Sequence, residues 1–247
     1  MTLLSVRGIS KSFGAVAAVS NIDFDLACGE ILALIGPNGA GKSTCFNMLG
    51  GQLRPDRGSI RLQGRELAGL TSREVWQQGV GRTFQITETF ASMTVAENVQ
   101  MALISFHRAS RRLWSRARDL WRDDALALLA RVGMDGQAQR NCGVLAYGDL
   151  KRVELAIALA GRPRLLLMDE PTAGMAPQER IALMALTSEI VRERQIGVLF
   201  TEHDMDVVFA HADRIIVMHR GRLIAEGSPA QVRENQEVRE VYLGAEA

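Results

Sequence analysis

Two stretches decide the fold of this chain: GPNGAGKST at residues 36–44 and LAYGDLKRVELAIALAGRPRLLLMDE at residues 145–170. The first has the form GxxxxGK[ST], in which glycines let the backbone close around a phosphate and the amides opening a new helix point at it. Gly36, Gly39 and Gly41 supply that freedom, with Pro37, Asn38 and Ala40 completing the loop and Thr44 following in the helix. Lys42 can reach the β and γ phosphates, and the Ser43 hydroxyl is placed to ligate Mg²⁺. The preceding run EILALI at residues 30–35 reads as a strand buried on both faces. The second stretch ends on LLLMDE, which puts Asp169 and Glu170 at the carboxyl end of another buried strand, the edge where open α/β sheets bind ligands. One carboxylate can hold Mg²⁺ through water, and the next can orient or deprotonate an attacking water. The glycine turn that opens the stretch predicts a helix starting near Gly148, with free amides aimed at an anion.

Outward from these anchors, residues 3–13 and 22–26 read as antiparallel strands bounded by Gly14 and Gly29, and residues 58–64 and 80–84 as short strands. From about residue 94 to 140 the pattern turns helical. The second half then alternates: helix at 150–160, strand at 164–168, helix at 178–194 and strand at 198–201. A hairpin at 214–218 and 222–226, turning at Gly221, and a helical tail at 229–243 complete the chain. Such alternation predicts an α/β fold with a mostly parallel sheet covered by helices on both sides.

Within the helical stretch lies a basic segment, HRASRRLWSRARDLWRDD, in which Leu113, Ala117 and Leu120, with Trp114 and Trp121, fall at helical spacing. Two readings stand: a solvated helix packed by its apolar stripe, or a surface that meets a membrane subunit or lipid headgroups.

The 29 basic and 28 acidic residues leave a net charge of +1, so nothing attracts nucleic acid in general and a polyanion must bind at a local site. Cys28, Cys45 and Cys142 lie far apart without a CxxC pair, which argues against zinc, redox chemistry and a disulfide framework and fits a reducing cytosol. The start lacks the pattern of a signal peptide, and no run of about 18 apolar residues occurs. The chain is expected to be soluble and to reach a membrane only through a partner.

With both motifs in place, the chain resembles the nucleotide-binding domain of ABC transporters, and LAYGD sits where that family carries LSGGQ. The resemblance implies one domain over residues 1–247: a P-loop NTPase core, an N-terminal antiparallel β subdomain, and a helical subdomain at about 90–160 that includes the signature turn. It implies ATP and Mg²⁺ as ligands. Leu145, Ala146, Tyr147, Gly148 and Asp149 would clamp the γ-phosphate of nucleotide held by a second subunit. Ala146 lacks the usual serine hydroxyl, Tyr147 replaces a glycine, and Asp149 replaces glutamine and adds negative charge.

Further positions carry over from the family one at a time. Phe13 in KSFG matches the aromatic that stacks on adenine. Gln85 in GRTFQ matches the glutamine that touches Mg²⁺ or the lytic water and reports to the membrane partner. His203 in FTEHD matches the switch histidine at the γ-phosphate, and Ala173, Gly174 and Met175 lie in the dimer-contact loop. Glu170, His203, Lys42 and Gln85 are thus the implied catalytic residues, and Ser43, Gln85 and Asp169 the implied metal set.

GRTFQ, LAYG, AGMAP, EHDM and VYLG are similar to the larger ATPase of branched-chain, or hydrophobic, amino-acid importers. That implies a peripheral subunit on the cytoplasmic face of the inner membrane. Its partners would be two integral permease subunits and a second ATPase, in a heterodimer or a homodimer, fed indirectly by a periplasmic solute-binding protein; no nucleic acid is expected. Uptake of urea, amides or small carboxylates, a lipopolysaccharide-export type, which shares the terminal YLG, and a non-transport ABC ATPase stay open.

Overall fold

The computed structural model describes residues 1–83, 89–107 and 120–243. Its first elements are β1 (Thr2–Phe13) and β2 (Val16–Ala27), a long antiparallel hairpin that turns at Gly14, whose φ of 59° suits glycine. Then come β3 (Ile31–Ile35), α1 (Lys42–Leu49), β4 (Arg57–Leu62) and the two-residue β5 (Arg65–Glu66). The order β2-β1-β4-β5 makes a four-stranded antiparallel sheet. Next are α2 (Ser72–Gln77), β6 (Val80–Thr83), α3 (Val95–Phe106), α4 (Arg122–Arg131), α5 (Tyr147–Ala160) and β7 (Leu165–Asp169). The chain continues through α6 (Pro177–Arg194), β8 (Gly197–Thr201), α7 (Met205–His211), β9 (Arg214–His219), β10 (Arg222–Gly227), α8 (Pro229–Glu234) and α9 (Gln236–Leu243).

The second sheet has the order β10-β9-β3-β8-β7-β6, with every pair parallel except the β9–β10 hairpin. β3 and β8 are buried along their whole length, which is why they read as mostly apolar runs and not as alternating ones. Period-2 geometry still sorts their side chains between two cores. Leu32 and Leu34 join Phe46, Leu49, Leu165, Leu167 and the inner face of the hairpin; Ile31, Ala33 and Ile35 join Leu166, Met168, Phe200 and the buried stripes of α3, α4, α5 and α6. This α/β arrangement, a mostly parallel sheet beside an N-terminal antiparallel one with helices around them, is the expected one.

The helix starts are encoded locally. Thr71 and Glu74 box the start of α2, Thr94 and Glu97 that of α3, and Ser228 and Gln231 that of α8. α5 begins at Tyr147 and not at residue 150, as the turn at Gly148 implied. The helical tail is two helices, because Asn235 leaves helical geometry and its side chain takes the Val238 amide at 3.0 Å to open α9. Trp121 of the basic segment has a φ of 59°, which places it left-handed ahead of α4, so α4 begins only at Arg122. The remainder of that segment, residues 108–119, and Gln85 lie outside the described residues. No helix among the described residues is long and apolar enough to cross a membrane.

Candidate nucleotide site

The phosphate loop leaves the carboxyl end of β3, and two of its glycines, Gly36 and Gly41, are required by contact. A Cβ on Gly36 would lie 2.1 Å from the Met218 carbonyl oxygen, and one on Gly41, at φ 104°, would lie 2.4 Å from that of Ala18. Gly41 caps α1 without any side-chain acceptor, so the first-turn amides stay available to an anion. Lys42 is 8% exposed and turns its ammonium back on the loop, donating to the Gly36 oxygen at 2.6 Å and the Pro37 oxygen at 3.1 Å. Burial pushes its pKa below the usual lysine value, against the pull of Glu170 and Asp169. The Ser43 residue is exposed beside it.

Asp169 and Glu170 stand where β7 ends, and the neighbouring strand fixes both. Asp169 Oδ1 accepts from Thr201 Oγ1 at 2.8 Å, while Arg82 Nη2 lies 3.5 Å from Oδ2. The Glu170 amide meets both the carbonyl and the hydroxyl oxygen of Thr201 at 3.1 Å. Its φ of 48° turns the chain sharply off the strand, an uncommon conformation for a residue with a Cβ. Glu170 Oε1 lies 2.9 Å from His203 Nε2, so the residue expected at the attacking water touches the one expected at the γ-phosphate. One residue earlier, the buried Glu202 accepts from the amide and hydroxyl of Thr172, both at 2.7 Å, pinning the loop after Glu170 to the end of β8. Hard oxygen donors, an ammonium and free amides suit a triphosphate carrying a divalent cation.

At the glycine turn, Ala146 occupies the N-cap of α5 and offers no side-chain acceptor. Tyr147 is 40% exposed; its ring lies against Gly174, where a Cβ would stand 3.4 Å away, and the Lys151 ammonium sits 5.5 Å from its centroid. The Asp149 carboxylate accepts from Gln137 Nε2 at 2.9 Å, so its charge is engaged within the chain. Gly148 is packed against the Glu179 carboxyl group at the start of α6, and Leu145 is half-buried against the core. Among the described residues, the side chains of this turn make no hydrogen bond or ring contact with residues 36–44. Phe13 ends β1 with half its surface exposed and the Lys11 ammonium 5.9 Å from its ring centre.

A cavity of about 580 Å³ flanks the loop, lined by Pro37, Asn38, Gly39 and Ala40 on one side and by Glu237, Glu240 and Val241 of α9 on the other. Phe13 is absent from its wall, so this cavity lies beside the expected nucleotide path. Tyr242 follows on the same helix: burial pushes its phenol up to about 12, against the Gly36 amide that faces the oxygen. Thr201, Glu202, Arg82 and Tyr242 escaped the sequence reading. A threonine and a glutamate ending the buried run VLFTE, and an arginine inside the short strand VGRT, were the available signals.

Residues 19–173 match the family described as ABC transporter. The chain belongs to the ABC transporter family. Its residues 222–247 also match a family described as branched-chain amino acid ATP-binding cassette transporter. The high-affinity branched-chain amino acid transport ATP-binding protein LivG of Escherichia coli K12 is 40% identical, over 98% of each chain. The corresponding protein BraF of Pseudomonas aeruginosa is 38% identical over the same shares. Among solved structures, the ADP conformation of MJ1267, an ATP-binding cassette of an ABC transporter, superposes with a TM-score of 0.88 at 29% identity and covers 99% of both chains. The cassette is accordingly a nucleotide-binding ATPase.

Proposed function

We propose that this cassette energises an importer of branched-chain or other hydrophobic amino acids. The observation that carries the reading is the Glu170–His203 contact of 2.9 Å at the strand end beside Lys42, in a chain similar throughout to LivG and BraF. Phe13 stacks on the adenine, and the amides of residues 36–44 hold the phosphates. Lys42 exchanges the Gly36 and Pro37 oxygens for the β and γ phosphates. Ser43, Asp169 and Gln85 would hold Mg²⁺, which would supply positive charge at the phosphate oxygens. Glu170 takes the proton from the attacking water, while His203 holds Glu170 in place and meets the γ-phosphate.

Leu145, Ala146, Tyr147, Gly148 and Asp149 serve the nucleotide of a second ATPase subunit. With no serine hydroxyl at 146, that clamp rests on the amides opening α5. We assign about residues 90–160 to a helical subdomain and the rest to the core and the antiparallel β subdomain. The second ATPase is a smaller companion in a heterodimer, the two sit under two integral permease subunits on the cytoplasmic face of the inner membrane, and a periplasmic protein delivers the solute.

Uptake in cells tests this reading. Replacing the wild-type chain by Lys42→Ala should abolish accumulation of labelled leucine, isoleucine and valine. Loss of urea or amide uptake with branched-chain uptake intact would instead assign another solute, and unchanged uptake of all of them would remove the chain from import.

A further inference from the structure

An arginine inside a short parallel strand is unusual, because a buried cation must find compensation where it lies. Arg82 lies on β6 between Gly81 and Thr83, its side chain 13% exposed. The guanidinium spans three elements. Nη2 donates to Asn47 Oδ1 of α1 at 2.9 Å; Nη1 donates to Gln52 Oε1 and to the Phe46 carbonyl oxygen at 3.4 Å; and Nη2 faces Asp169 Oδ2 of β7 at 3.5 Å. Gly50 leaves the passage open, since a Cβ there would come 2.8 Å from Nη1.

We propose that Arg82 is a positioning residue that ties Asp169 to the phosphate-loop helix and sets how readily the site takes up its divalent cation. The inference rests on the reading of Asp169 as a metal carboxylate. At 3.5 Å the contact is longer than a charge-assisted hydrogen bond of about 2.7–2.9 Å, so Arg82 steadies the carboxylate while leaving Oδ2 open to a second partner. Thr201 holds the other oxygen at 2.8 Å, and the carboxylate is thereby oriented from two sides. The guanidinium also offsets one negative charge beside the cation's position. Losing it should make cation binding tighter and less well directed.

Purified variants titrated with Mg²⁺ in the presence of a fluorescent N-methylanthraniloyl ATP test the assignment without reference to turnover. Arg82→Gln keeps polar contacts to Asn47 and Gln52 but no charge. It should lower the Mg²⁺ half-saturation roughly three- to tenfold, with nucleotide affinity in EDTA unchanged. Arg82→Lys, which retains the charge, should stay near the wild-type value and covers the case in which Arg82→Gln does not fold; a shift as large as that expected for glutamine would refute the charge argument. In an Asp169→Asn background, Arg82→Gln should add no further shift. A half-saturation equal to wild type in Arg82→Gln, while Asp169→Asn alone moves it, overturns the role of Arg82. No effect of Asp169→Asn overturns the metal reading on which the role rests.

Discussion

Gly41 shows how strictly single residues bind the site to the fold. At φ 104°, with the Ala18 oxygen 2.4 Å from where a Cβ would stand, alanine is excluded by conformation and by space together. Gly41→Ala should lose about 1–3 kcal/mol of stability, read by urea unfolding, and should lose ATP binding as the first-turn amides move. Lys42, Asp169 and Glu170 could be singled out in the sequence because each stands close after or at the end of a buried apolar strand, whereas His203 was reached only through the family resemblance. Thr201 and Arg82 were not legible: Thr201 acts on Asp169 from 32 residues away and Arg82 on Asn47 from 35, through strand pairing and helix packing that no local pattern displays. Asp149 shows a different limit. Its identity suggested a negative charge aimed at phosphate, whereas the fold gives that carboxylate to Gln137.

Among the elements, strands were the easiest to read, since β3, β7 and β8 are apolar for most of their length, and short helices the hardest. α2 and α7 were both missed because six or seven residues carry too little periodicity. Their caps were the legible part. Asp204 accepts from the Asp206 and Val207 amides at the start of α7 and pairs with Arg180 at 2.6 Å. Burial raises its pKa, but the Arg180 hydrogen bond and the two amides outweigh burial and hold the carboxyl below its ordinary value of 3.8. A carboxyl depressed in the folded state adds stability above its unfolded pKa and loses it as the pH falls through the folded one. Asp204→Ala should therefore be destabilised by about 1–2 kcal/mol at neutral pH. That gap, followed by thermal melting, should persist down to the unfolded pKa and narrow below it; a gap that does not change with pH would show that the charge contributes nothing.

At the scale of the whole molecule, the sheet puts the phosphate loop, Asp169, Glu170 and His203 at one edge, the carboxyl ends of β3, β7 and β8. The glycine turn opens on the surface with Val144 and Tyr147 exposed, 66% and 40% of their area. In the function proposed above, this exposed helix start is the surface that a second ATPase subunit completes. The fold class was readable because each strand and helix stated its own pattern; the way Glu202, Thr172 and Thr201 lace the ends of β7 and β8 was not, since it exists only once the sheet has formed. The account depends most on Glu170 as the group that takes the water's proton. Steady-state hydrolysis by Glu170→Gln, measured beside its equilibrium binding of ATP, tests that claim most directly. The account predicts ATP affinity within about threefold of wild type and turnover lower by at least about 100-fold; turnover equal to that of the wild type would contradict it.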